Sequence, residues 1–135
     1  MDAAKLKEFG TRYSAAWSSQ NPAVLASFYA EDGTLTINGG APSVGRAAIS
    51  ATARGFMDAF PDMVVTMDEV SLKGASAIFR WTWIGTNTGP GGTGKAVRIQ
   101  GYEEWVLSPD DLIAECQGHY DEAEYQRQLI SGPPS

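Results

Sequence analysis

The order of patterns along this sequence predicts an α+β fold, a cone-shaped, curved antiparallel sheet with N-terminal helices over its concave face, enclosing a pocket. Three observations carry that reading. Helical spacing fills the N-terminal half, long strand-like stretches fill most of the C-terminal half, and short turns join those stretches. Long strands twist and curl, and a curled sheet capped by helices keeps a concave side of the kind that binds small molecules.

Leu6, Phe9, Tyr13, Ala16 and Trp17 recur at steps of three and four, which is one stripe of an amphipathic helix ending near Ser19. Asn21 before Pro22 reads as an N-cap with proline at the first helical position, and Val24, Leu25, Phe28 and Tyr29 make a short second helix stopped by Asp32-Gly33. Thr34 to Asn38 alternates like a strand, and Gly39-Gly40-Ala41-Pro42 turns the chain. Arg46 to Phe60 returns to helical spacing through Ile49, Ala53, Phe56, Met57 and Phe60, and Pro61 closes it. Four strands follow, Met63 to Leu72, Ala75 to Thr86, Lys95 to Leu107 and Leu112 to Tyr120, whose short connections imply antiparallel neighbours. Glu122 to Ile130 is a terminal helix. The expected organisation is one domain over residues 1–131 with a tail over 132–135.

Composition narrows the function. A chain of 135 residues, 43% hydrophobic, can bury one sizeable core. A net charge of −6 with scattered basic residues argues against nucleic acid, whose binding needs clustered Lys and Arg. No stretch approaches the roughly 20 apolar residues of a membrane helix, and Met1-Asp2-Ala3-Ala4-Lys5 lacks the features of a secretion signal, so a soluble cytoplasmic protein is expected. One Cys and one His give no metal-ligand spacing, and neither a metal nor a cofactor is implied. Gly89 to Lys95 imitates a phosphate-binding loop, but Ala96 stands where a P-loop needs Ser or Thr, and a strand follows instead of a helix. A hairpin loop is the reading.

The element order, with Ala30-Glu31-Asp32 before a strand, Phe60-Pro61-Asp62 after a helix, Ile84-Gly85-Thr86-Asn87-Thr88-Gly89, and Gln126-Arg127-Gln128-Leu129 near the end, resembles the SnoaL-like family of the nuclear transport factor 2-like superfamily. The resemblance covers nearly the whole chain. Relatives of that kind include polyketide cyclases, ketosteroid isomerases, epoxide hydrolases, dehydratases and non-catalytic binding proteins. Laid residue by residue on these patterns, the chain lacks their bases. Gly118 takes the place of the aspartate that the cyclases and epoxide hydrolases keep on the last strand. Leu35 and Ile37 stand where the epoxide hydrolases have a Tyr and an Asn, and Thr82 where they have an acidic residue after the matched Arg80. Ile37 also replaces the isomerase base, while the isomerase oxyanion pair falls on Tyr13 and Glu103.

The same alignment implies a pocket face made of Ile78, Arg80, Thr82 and Ile84, of Ile99, Gly101, Glu103 and Trp105, and of Ala114, Cys116, Gly118 and Tyr120, with Trp17, Phe56 and Phe60 from the helices. Arg80 and Glu103 are the charged exceptions, and two readings fit them. They form a structural ion pair, or Glu103, raised in pKa by burial, acts with Tyr13 on an oxyanion or is itself the base, with Arg80 on a carboxylate or enolate oxygen. His119 falls on the outer face as an interface, rim or catalytic group, Asp121 caps the terminal helix or joins the site, and Cys116 is a small buried hydrophobe. The opposite parity puts Phe79, Trp81, Trp83 and Tyr102 outside, a patch that suggests a two-fold homodimer. Two functions remain open: a cofactor-free cyclase, isomerase or dehydratase acting on a small, mostly apolar carbonyl compound, or a small-molecule-binding or accessory protein that kept the pocket and lost the base.

Overall fold

The structure, a computed structural model, describes residues 1–134; Ser135, the end of the expected tail, lies outside the described residues. The elements run α1 (Ala3–Ser18), α2 (Pro22–Ala26), β1 (Tyr29–Ile37), β2 (Ser43–Val44), α3 (Arg46–Ala59), β3 (Val64–Lys73), β4 (Ser76–Thr86), β5 (Ala96–Leu107), β6 (Ile113–Tyr120) and α4 (Glu122–Ser131). Six strands form one sheet in the order β2-β1-β6-β5-β4-β3. The chain folds as α+β, with the helices and long strands in the order that the sequence predicts and one short strand, β2, that it does not, paired antiparallel with β1.

Two local differences stand out. The second helix ends at Ala26, and β1 already begins at Tyr29, where the periodicity suggests helix. Tyr29 is fully buried, and the Phe28 carbonyl accepts from Ile113 N–H, so the start of β1 is drawn onto β6 by pairing that local spacing does not reveal. The sheet is also not wholly antiparallel. β1 lies parallel to β6 because the chain travels through α3 and the β3–β5 hairpins before returning beside it. A bulge between Tyr29 and Thr34 shifts the register there.

The helical stripe predicted for α1 does the covering. Leu6, Phe9 and Tyr13 are buried against the sheet, with the Tyr13 ring edge-on to Phe79 and Trp105 at 5.3 and 5.1 Å between centroids. Leu6, Leu25 and Ile49 lose essentially all exposure, worth about 1.5–3 kcal/mol each. At the other end of the core α4 is pinned by an amide. Gln128 accepts from Arg98 N–H through Oε1 at 2.6 Å and donates to the Arg98 carbonyl through Nε2 at 3.0 Å, as a neighbouring strand would.

One face is corrected. On β4 the inward residues are Ala77, Phe79, Trp81 and Trp83, while Arg80 and Ile84 are exposed and Thr82 points outward to Asp68. Pairing with β5 requires this, because Phe79 is registered opposite buried Glu103, and Arg80 opposite Tyr102. A one-residue slip reverses every side chain of a strand. Arg80, Thr82 and Ile84 therefore leave the pocket, and Phe79, Trp81 and Trp83 leave the outer surface. The aromatic patch from which a homodimer was inferred is thus reduced to Tyr102, over whose ring the Arg80 guanidinium sits at 5.4 Å.

The glycine-rich segment is the β4–β5 hairpin loop, with Gly91 and Gly94 in the left-handed region. Gly89 seats it on the end of α3, donating N–H to the Ala59 carbonyl, and a Cβ there would overlap the Asp58 carbonyl oxygen. Gly89→Ala is expected to destabilise the protein by about 1–3 kcal/mol, read from the midpoint of urea unfolding.

Candidate functional site

Apolar inward parity on β3 to β6 and the stripes of α1 and α3 converge on one cavity. Its wall is made of Trp17 and Phe56 from α1 and α3, Met63 from the turn after α3, Val65 from β3, Phe79, Trp81 and Trp83 from β4, and Leu35, Ile37, Gly118 and Tyr120 from β1 and β6. Glu103 on β5 is its one ionisable carboxyl group. The cavity has a volume of about 70 Å³, where one water needs about 10–15 Å³. The space suits a molecule of several heavy atoms, and the wall has no cationic side chain to receive an anion.

Glu103 is buried with its two oxygens in different surroundings. Oε1 accepts from the Tyr13 hydroxyl at 2.9 Å, from Trp105 Nε1 at 2.9 Å and from Cys116 Sγ at 3.1 Å. Among the described residues, the side-chain hydrogen bonds to Glu103 all end on Oε1 and none reaches Oε2, in a side chain that lines the cavity. Tyr13 has one hydroxyl proton and spends it on Glu103, so Tyr29, 2.7 Å away, donates to Tyr13. The result is a relay Tyr29 to Tyr13 to Glu103 that leaves Oε2 as the position for a transferable proton. Burial pushes the Glu103 carboxyl above its ordinary value, against the three donors that favour its charged form. Burial, then the nearby Glu103, pushes the Tyr13 hydroxyl and the Cys116 thiol well up, so Cys116 serves as a hydrogen-bond donor.

The expected site residues are distributed as follows. Glu103, Trp17, Phe56 and Tyr120 line the cavity. Tyr13, Trp105 and Cys116 stand behind Glu103 and touch it, and Phe60 and Ile99 are core residues outside the lining. Arg80 makes no ion pair with Glu103, because the two lie on opposite faces of the sheet. His119 is on the outer face, stacked on Tyr102 and 2.9 Å from Glu104. Asp121 caps α4 by accepting from Glu124 N–H. The lining residues that sequence reasoning missed include Met63 and Val65 and, on β4, Phe79, Trp81 and Trp83, although the alternation of three aromatics against Arg80 and Thr82 is the signal that places the last three inside. Among the described residues no group of three or more His, Cys, Asp or Glu side chains is gathered as metal ligands.

The sequence profile of the SnoaL-like domain matches residues 11–116. Among solved structures, the chain is similar to a protein with a ketosteroid isomerase-like fold from Catenulispora acidiphila in complex with trimethylamine, with a TM-score of 0.80, 23% identity and 94% of each chain covered. It is similar to TsrD from Streptomyces laurentii, with a TM-score of 0.81, 20% identity, and 96% of this chain and 97% of that one covered. It is also similar to SalBIII, an epoxide hydrolase/cyclase-like enzyme of pyran ring formation in polyether salinomycin, with a TM-score of 0.77, 18% identity, and coverages of 90% and 95%. At these identities the likeness shows the fold alone. Curated proteins give no sequence match to the chain.

The raised Glu103 carboxyl has a consequence for stability. The folded protein holds this proton to higher pH than the unfolded chain, so the contribution is fully present below the ordinary value of 4.5 and is lost as pH rises through the folded value. Urea midpoints of the wild type and of Glu103→Gln, compared over roughly pH 4 to 8, are expected to move in the variant's favour as pH rises. A constant difference would mean that Glu103 titrates as it does in the unfolded chain.

Proposed function

The chain belongs to the SnoaL-like domain family, and on that premise we propose that it is a cofactor-free enzyme that moves a proton on a small, mostly apolar carbonyl compound, as in isomerisation, dehydration or aldol-type ring closure. The observation that carries this reading is the position of Glu103. It is registered directly opposite Gly118 on β6, the position at which the resemblance implies the family's aspartate base. The space above Gly118 is open enough that a Cβ there would come no closer to Glu103 than 3.8 Å, from its Cγ. A carboxylate from the adjacent strand thus replaces the missing one, with its free oxygen in the apolar cavity.

Glu103 Oε2 takes the proton from the carbon beside the carbonyl and returns it at another position. Desolvation supports this, since burial raises the carboxyl above its ordinary value and so makes its carboxylate the stronger base. Tyr13, Trp105 and Cys116 are positioning residues. They fix Oε1 and, by favouring the charged form, keep the carboxyl from rising too far. Tyr13 does not itself face the ligand in this scheme, because its proton is committed to Glu103.

A second reading has its own support. Ile37 and Gly118, which take the places of relatives' bases, both line the cavity and are inert. On that reading the chain holds a small molecule without changing it.

Deuterium exchange separates the two. Small cyclic ketones incubated with the protein in D2O are expected to gain deuterium beside the carbonyl faster than in buffer, and Glu103→Gln is expected to lose about 10²–10⁴-fold of that enhancement. Tyr13→Phe is expected to keep part of the rate while moving the rising limb of the pH profile upward, since it removes a bond that stabilises the carboxylate. Ketones that bind without any enhanced exchange would favour the binding protein.

A further inference from the structure

With Arg80 outside and Tyr13 committed to Glu103, the proposed chemistry lacks a partner for the oxygen on which negative charge develops. Two buried side-chain polar atoms of the described residues have no hydrogen-bond partner, the indole Nε1 of Trp81 and that of Trp83, and both side chains belong to the cavity wall. Buried donors are nearly always satisfied, so an orphan donor on a side chain of a cavity wall calls for an acceptor. The two are not equivalent. Trp83 is enclosed by aromatic rings, with Phe60 and Phe56 at near-perpendicular angles and centroids 4.9 and 5.6 Å away, and ring faces are weak acceptors for N–H. Trp81 has one aromatic neighbour, Tyr120, at 6.2 Å.

The backbone shows that the place of Trp81 is built. It is registered opposite Gly101 on β5, and a Cβ at Gly101 would lie 2.5 Å from Trp81 Cζ2 and 2.8 Å from Cη2. The absent side chain is what lets the indole lie against β5. Glu103 is the next inward residue of that strand, so Trp81 and Glu103 are diagonal neighbours, the Cα spacing of such pairs being about 7–8 Å.

We infer that the indole N–H of Trp81 receives the oxygen of an uncharged carbonyl ligand, beside the free oxygen of Glu103. The inference rests on the proton-transfer reading and names what that reading lacks. As Glu103 Oε2 takes the proton, the C–H electron pair becomes the new carbon–carbon π bond and the carbonyl π pair moves onto oxygen, where the Trp81 N–H meets it. Reprotonation at carbon by the same carboxyl restores both. The ligand is neutral because the wall supplies a carboxylate and no cation.

The test uses cyclohexanone and methylenecyclohexane, alike in shape and different in the acceptor, titrated into protein labelled with 15N at the indole nitrogens. Trp81→Phe assigns the signal. Cyclohexanone is expected to move the Trp81 N–H resonance downfield, which methylenecyclohexane does not, and to bind about tenfold more tightly than the hydrocarbon, as one hydrogen bond allows. That preference is expected to vanish in Trp81→Phe and to survive in Tyr120→Phe, which removes the hydroxyl elsewhere in the wall. Equal binding of both probes, an unmoved Trp81 signal, or loss of the preference in Tyr120→Phe instead would overturn the inference and leave the proton-transfer reading standing, provided that the deuterium exchange of cyclohexanone still depends on Glu103. Failure of both probes to perturb any cavity residue, with no enhanced deuterium exchange, would overturn the inference together with that reading.

Discussion

A buried carboxylate is among the costlier groups a small protein can carry, and here the arrangement of three elements depends on it. Oε1 of Glu103 collects donors from α1, β5 and β6, and each would be left unsatisfied if its element shifted. The contact is therefore as much a register device as a chemical one. It fixes α1 over the sheet with Tyr13 above β5, and Tyr29 extends the tie to β1. Apolar packing alone would tolerate some sliding of a helix over so many aromatic rings. Three donors on one oxygen would not.

The same economy explains why one end of the group can be left free. The donors are a phenol, an indole and a thiol, all neutral, so they hold the carboxylate without cancelling its charge. An arginine in their place, as an ion pair with Arg80 would have given, would hold the group more firmly and depress its basicity. Placing Arg80 on the outer face, over Tyr102, keeps the cavity free of cations.

Much of the fold was legible in the sequence, because amphipathic spacing and alternation report directly which side of an element is buried. The stripe of α1, the caps at Asn21 and Asp121, and the four long strands are all of this kind. The start of β1 was not legible, since Tyr29 continues a helical spacing locally and is claimed for the sheet by pairing with β6, distant in sequence. At the site, Glu103, Trp105 and Cys116 were within reach of parity on β5 and β6, and Tyr13 was within reach of the helical stripe of α1. The error on β4 arose where family resemblance was set against plain alternation. Matching Arg80 to a relative's arginine put it inside, while Phe79, Trp81 and Trp83 on the other parity form the heavier apolar set. The parallel β1–β6 pairing was out of reach for another reason, as it depends on how the whole sheet closes up.

The only cysteine of the chain also carries a practical meaning. Cys116 is fully buried, and both burial and its carboxyl neighbour disfavour the thiolate that electrophiles need. A small alkylating reagent can reach it only in molecules whose β5–β6 region has come apart. Its labelling rate, set against that of an unstructured thiol, therefore measures how often the region around Glu103 opens, and the protein contains its own clock for breathing of that core.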